Sequence, residues 1–193
     1  MTARLWLVRH ARPLVDPGVC YGASDLEADP QDSRRAAQEL AAVLPAGARL
    51  FMSGLRRARQ LAEELHALRP DLVAPRSDPR LNELDFGRFE LVRWDAIDKA
   101  EFDAWTADFH SHRFGGRESV GEMLARVAQS LHEVRQSQRS DAAGDSVWIT
   151  HAGVIRATIL LHEFPDARPA VADWPDEAPG FGGWMRIDLD SQA

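Results

Sequence analysis

The sequence predicts an α/β fold: three α/β/α layers around a mainly parallel sheet, with an edge strand that can run antiparallel. Three observations lead there. Leu5-Trp6-Leu7-Val8 and Val147-Trp148-Ile149-Thr150 are short apolar runs without alternation, the pattern of parallel strands covered on both faces. Segments of helical periodicity separate the strand-like runs, as crossover connections require. Each of the two runs also ends at a histidine: Arg9-His10 follows the first and His151-Ala152-Gly153 the second. In open α/β sheets ligands bind outside the carboxyl ends of the strands, so both imidazoles are expected to emerge at a site.

After the first strand, Pro13, Pro17, Gly18, Gly22 and Pro30 mark a long loop over residues 11–30. A loop of that length in a compact fold is usually functional. Ser33–Leu44 reads as an amphipathic helix with Ala36, Leu40, Val43 and Leu44 on one face. Arg49–Ser53 is a second strand, and Arg56–Leu68 a helix that turns Leu61, Leu65 and Leu68 inward. A weak strand at Val73–Ser77 and a loop at Asp78–Phe89 come next. Trp94–Phe109 reads as a helix with an apolar face of Ile97, Phe102, Trp105 and Phe109. Ser119-Val120-Gly121-Glu122 is a capping box that opens a helix carrying Met123, Leu124, Val127, Leu131 and Val134. Gln136–Asp145 is a polar connection to the strand ending at Thr150, and Val154–His162 a further helix. Residues 165–183, rich in proline and glycine, form an irregular loop before a closing strand, Trp184–Leu189, at an edge.

The chain has 193 residues, enough for one domain with a large core. Its net charge of −7 argues against general binding to nucleic acid or anionic membranes. Lys99 is the only lysine, so arginine carries nearly all the positive charge. One cysteine, Cys20, excludes an internal disulfide and fits a reducing compartment. No secretory pattern is visible at the amino terminus and no apolar run is long enough to span a membrane, so a cytoplasmic protein is expected. His110-Ser111-His112 beside Asp108 lacks the spacing of a complete metal-ligand set and reads as a solvated loop. Trp6 and Trp148 are expected in the core, and Trp94 and Trp105 on a packed helix face or at the mouth of a site.

Four segments carry a resemblance. Leu7-Val8-Arg9-His10-Ala11-Arg12-Pro13 resembles the Arg-His-Gly signature of the histidine phosphatase superfamily, which includes the phosphoglycerate mutases. Ser53-Gly54-Leu55-Arg56-Arg57-Ala58-Arg59-Gln60-Leu61-Ala62 resembles its second motif, Leu81-Asn82-Glu83-Leu84-Asp85-Phe86-Gly87 its acid-bearing third, and Ile149–Arg156 its fourth. They occur in the family's order, and the ordered set is far more specific than any member. Cys20-Tyr21-Gly22-Ala23-Ser24-Asp25 also looks like a loop of alpha-ribazole phosphatases. The resemblance implies a phosphoglycerate mutase-like fold, one domain over residues 1–193, and a small phosphorylated substrate handled without a metal ion or other cofactor.

It also implies roles. His10 is the expected nucleophile, since a neutral imidazole can attack phosphorus and divide one displacement into two. Arg9 and Arg57 match the phosphate-clamping arginines, whose planar guanidiniums fit phosphate oxygens and stay charged. Arg56 and Arg59 are expected to point to solvent, because helix neighbours one and two positions away face elsewhere. His151 would hold the phosphoryl group, aided by the backbone N–H of Ala152 at a helix start. Glu83 is the expected general acid and Asp85, two residues on, points to the other side of an extended segment. Tyr21, Gly22 and Ser24 are expected to contact substrate. Cys20 has no evident activating partner.

The chain departs from the family pattern at Ala11 and Ala152, where glycine usually follows each histidine. Alanine is strained there if the backbone requires positive φ. Leu91 replaces a common glycine, Leu61 a common threonine, and Arg117 is inserted into a Gly-Gly-Glu-Ser turn. The expected function is therefore a phosphomonoesterase working through phospho-His10. The alternatives are a mutase that retains the phosphoryl group, for whose substrate-closing segment the chain looks short, and an impaired protein that only binds a phospholigand. The sequence carries no signal for oligomeric state.

Overall fold

The computed structural model describes residues 4–138 and 144–189. In chain order the regular elements are β1 (Arg4–Arg9), α1 (Pro30–Ala41), β2 (Arg49–Met52), α2 (Arg56–Leu68), β3 (Val73–Ser77), α3 (Lys99–Ala107), α4 (Val120–Gln138), β4 (Ser146–Thr150), α5 (Ala152–Glu163) and β5 (Trp184–Asp188). The sheet order is β3-β2-β4-β1-β5. Neighbours pair in parallel except β5, which runs antiparallel to β1 along one edge.

The two apolar runs occupy the centre. Alternate residues of β1 serve opposite faces: Leu5 and Leu7 join Trp148 in a core roofed by α4 and α5, while Trp6 and Val8 join Val147 and Ile149 under α1 and α2. Burial on both faces explains why neither run alternates in sequence. The edge strands β3 and β5 stay largely exposed or half-exposed, and β3 is the weak strand of the sequence.

Several helix boundaries differ from the sequence reading. α1 starts at Pro30 rather than Ser33, because the Asp29 carboxylate accepts from the amides of Gln31 and Asp32. Pro30 thus opens the helix at the position where its missing N–H has no partner to lose. α1 also ends at Ala41, short of Leu44. Trp94–Phe109 is not one helix: a 3-10 turn at Trp94–Ala96 gives way to extended Ile97, and Asp98 then caps α3. Its apolar residues still converge. Phe89, Ile97 and Phe114 form a small core with Trp94, Phe102 and Trp105, and Trp105 stacks on Phe114 at 4.5 Å.

The capping box opens α4 as expected, Ser119 Oγ accepting from Glu122 N–H and the Glu122 carboxylate from Ser119 N–H. The connection expected at Gln136–Asp145 begins later, since α4 continues to Gln138, and residues 139–143 lie outside the described residues. Among the described residues, no helix is long and apolar enough to cross a membrane.

Candidate active site

Strand register brings the two histidines together. Arg9 of β1 pairs with Thr150 of β4, so His10 and His151 follow side by side, and His10 N–H donates to the Thr150 carbonyl at 3.0 Å. Both side chains are buried, with ring centroids 5.0 Å apart. His10 Nδ1 lies 2.6 Å from the Ala11 carbonyl, which can only accept, so Nδ1 holds the proton and Nε2 the lone pair. Arg57 Nε–H points at that lone pair from 3.3 Å. Burial, then the charge on Arg57, holds the His10 pKa well below the ordinary 6.5, so the imidazole is neutral at physiological pH.

Arg57 is the most buried cation at the site. Its Nη1 donates to the Ser24 carbonyl at 2.7 Å and its Nη2 to the Gly22 carbonyl at 2.6 Å. Arg56 and Arg59 turn to the exposed side of α2, as helical spacing predicts, and Arg56 pairs with Glu27 at 3.0 Å. Arg9 lies 4.0 Å over the Phe181 ring and donates to the Pro179 carbonyl, while its buried Nε has no protein partner. Burial lowers both guanidinium pKa values from their ordinary range, and the Glu83 carboxylate works against that shift in both. Glu90 and Asp25 also act on Arg57, so Arg9, with only Glu83 as its carboxylate neighbour, is the cation left freer to meet an anion.

Glu83 sits at the mouth of α5. Its Oε2 accepts from Gly153 N–H at 3.0 Å and its Oε1 from Leu84 N–H at 3.1 Å. A Cβ on Gly153 would lie 2.3 Å from Glu83 Oε1, so glycine is what lets the carboxylate reach this helix end. The segment that carries Glu83 is fixed by Arg126 of α4, which donates to the carbonyls of Arg80, Asn82 and Glu83 and pairs with Glu118 at 2.6 Å. Asp85 faces away, its carboxylate accepting from Gly87 N–H and meeting Arg117.

The family model of the histidine phosphatase superfamily (branch 1) matches residues 5–171. The chain belongs to this superfamily. Solved structures agree with the fold. TTHB049 from Thermus thermophilus is 26% identical with a TM-score of 0.68, covering 97% of this chain and 94% of that one. Mycobacterial hydrolase 2 is 26% identical with a TM-score of 0.77, covering 96% of this chain and 81% of that one. A mycobacterial glucosyl-3-phosphoglycerate phosphatase is 24% identical with a TM-score of 0.79, covering 96% and 90%. No curated protein matches the chain by sequence.

In this member of the superfamily the expected substrate contacts separate into two groups. Tyr21 is half-buried against Arg9 and lies 5.5 Å from the Arg57 guanidinium carbon. Ala152 supplies the first residue of α5, next to His151. Gly22 and Ser24 instead give their polar groups to the protein. Their N–H groups and the Ser24 hydroxyl donate to Glu90, and their carbonyls accept from Arg57. A Cβ on Gly22 would meet the Leu84 carbonyl at 1.9 Å, which explains the glycine.

Four site residues have no assigned role in the sequence reading. Glu90 gathers the amides of Gly22, Ala23, Ser24 and Phe86, and its position beside Leu91 in a family-like run is the available signal. Phe181 comes from the irregular loop 165–183 and packs 5.6 Å from the His10 ring. No sequence pattern points to it. Ser53 and Asn82 lie within the second and third motifs, and they meet beside His151.

The departures from the family pattern also resolve. Neither Ala11 nor Ala152 has positive φ, whereas Leu91 does, at 64°, and it is the only such non-glycine residue among those described. The strain therefore sits at the rim, not beside the histidines. Cys20 is buried, and burial followed by the charge of Glu90 pushes its thiol up to about 12. His110 packs against Gly121, and among the described residues no three His, Cys, Asp or Glu side chains gather as a metal site.

Proposed function

We propose that the protein is a phosphomonoesterase that works through a phosphohistidine at His10 and draws its positive charge from arginines rather than from a metal ion. The observation that carries this reading is the Nδ1–H of His10 bound to the Ala11 carbonyl, which leaves a neutral Nε2 lone pair inside a pocket walled by Arg9 and Arg57. Nε2 attacks phosphorus while the bond to the leaving oxygen breaks. Glu83, as general acid, gives a proton to that oxygen. Water then attacks the phosphohistidine, Glu83 takes a proton from it, and inorganic phosphate leaves with Nε2 free again. The arginines neutralise charge on the phosphoryl oxygens throughout, which is most of what phosphoryl transfer requires.

The organic part of the substrate has a matching feature. Beside Phe181 lies an open trough of about 780 Å³ whose walls include Leu14, Val15, Tyr21, Trp94 and Phe181, with Arg12 and Asp16 as its charged members. Such walls favour a leaving group with an apolar or aromatic portion. Alpha-ribazole phosphate, which carries an aromatic base, is the specific substrate we propose, in keeping with the resemblance at Cys20–Asp25. The reading as an impaired binder leans on Ala11 and Ala152, and their unstrained backbone removes that support.

The test is a panel of phosphomonoesters including alpha-ribazole phosphate, sugar phosphates and nucleotides, scored for phosphate release and for an acid-labile phosphoenzyme. Release with a trapped phosphohistidine that is absent in His10→Ala supports the reading. Mutase turnover on 3-phosphoglycerate with negligible hydrolysis sinks it.

A further inference from the structure

The hydrogen bonds around Ser53 fix every proton in their path. Asn82 Oδ1 accepts from Gly54 N–H at 2.8 Å, so the atom facing Gly54 is the amide oxygen and not the NH2 group. Ser53 Oγ lies 2.8 Å from the same oxygen, which cannot donate, so the single Ser53 hydroxyl proton goes to Asn82. One lone pair of Ser53 Oγ takes Leu55 N–H at 3.2 Å. The other faces His151 Nε2 at 2.8 Å, and with the hydroxyl proton already committed, Nε2 must be the donor. His151 Nδ1 is buried beside the His10 ring with no protein partner. A neutral His151 therefore carries its lone pair at Nδ1, the wrong polarity for a phosphoryl oxyanion.

We propose that Ser53, oriented by Asn82, is a positioning residue that locks His151 as the Nε2–H tautomer, so that an oxyanion binds at Nδ1 only together with one proton. The proton enters either from solvent with a phosphate dianion or as the O–H of a monoanion, and it ends shared between Nδ1 and a phosphoryl oxygen. His151 then donates from both nitrogens, to Ser53 and to the phosphoryl group. This rests on the proposed phosphoryl site for its ligand but not for the tautomer, which is a property of the free protein.

The surroundings make the coupling strict. The charged and titratable groups facing His151 are Arg57 from α2, His10 and Arg9 from β1 and its end, and Arg126 from α4, with Glu83 held at the start of α5. Burial, Arg57 and the other cations all oppose protonation of the empty site. Only an arriving anion reverses that balance. A device of this kind favours a bound phosphoryl group in its protonated-histidine form and disfavours the site standing charged without ligand.

Two measurements test the proposal. In 15N-labelled free protein, the His151 ring should show a protonated Nε2 and an unprotonated Nδ1; the opposite tautomer overturns it regardless of activity. Calorimetry with inorganic phosphate, in buffers of different ionisation enthalpy and above the second ionisation of phosphate, should show uptake of about one proton per bound ion. The binding constant should then fall roughly tenfold per pH unit. In Ser53→Ala the imidazole is free to carry its proton on Nδ1, so uptake should drop toward zero and the pH slope should flatten, while Ser53→Thr restores both. Unchanged uptake in Ser53→Ala refutes the role of Ser53. Absence of phosphate binding by the unaltered protein counts against the proposed phosphatase site, and the tautomer measurement still decides the role of Ser53.

Discussion

The strand ends and the rim of the site are built on different principles. Along β1, β4 and β2 the backbone ladder places His10, His151 and Ser53, and each side chain is buried and turned by one or two short hydrogen bonds. The rim has no ladder. Gly22–Ser24 and Asn82–Glu83 are irregular segments held by long charged side chains, Glu90 and Arg57 in one case and Arg126 in the other. The ladder needs no special residue beyond apolar strands, whereas the rim depends on buried or half-buried charge paired with backbone. Under the proposed mechanism, attack and leaving-group protonation are therefore secured separately, and substitutions should expose the division.

The largest effect belongs to the strand ends. His10→Ala should lower phosphate release roughly 10⁴-fold or more while leaving the melting temperature near that of the parent, since the fold is carried by neighbouring strands. At the rim, Glu83→Gln should slow alkyl phosphates roughly 10²-fold yet barely affect a nitrophenyl phosphate, whose leaving group needs no proton. Equal losses on both substrates would erase the distinction between the two regions. Arg126→Met should reduce kcat roughly 10- to 100-fold on alkyl phosphates, again sparing the nitrophenyl ester, because it loosens the Glu83 segment and leaves His10 in place. A uniform fall across substrates would show that α4 supports the whole site.

Acid should dismantle the two regions in sequence. His10 and His151 stay neutral in the folded protein well below 6.5, whereas the unfolded chain protonates them near that value. The unfolded state then binds more protons, so stability declines as pH falls through 6.5. Glu90 acts later. Burial by itself would raise its pKa, but the hydrogen bonds from Ser24, Gly22, Phe86 and Ala23 prevail and hold it below 4.5. Its contribution is present above 4.5 and is lost only as pH falls toward the depressed value. Amide exchange followed against pH should show protection at β1 and β4 weakening before protection at residues 22–24. The smallest effect is at Leu91, 57% exposed with φ at 64°. Leu91→Gly should raise stability by about 1 kcal/mol in denaturant unfolding, with kinetics unchanged.

Much of this is legible in the chain. Two apolar runs ending in histidine mark the central strands; helical spacing lets only one of Arg56, Arg57 and Arg59 face the site, and the motif resemblance selects Arg57. The capping box at Ser119 reads correctly because its signal is local. Asp29-Pro30 carries an equally local helix start, but proline and glycine throughout residues 11–30 mask it. Trp94–Phe109 misleads for a different reason: its aromatic spacing reflects convergence on Phe114 from a turn and a helix, not one continuous face.

By itself the sequence determined the central strands and put forward His10, Arg57, Glu83 and His151 as candidate site residues, because periodicity, strand burial and motif order are properties of neighbouring residues. It could not determine where protons sit. The Nδ1–H of His10, the Nε2–H of His151 and the strain at Leu91 each follow from a donor, an acceptor or a backbone angle set by folding. Ser53, Asn82 and His151 are far apart in the chain, and Phe181 reaches His10 from a loop without a pattern. Only tertiary structure brings such groups within hydrogen-bonding or packing distance, and a proton is assigned by the atoms around it.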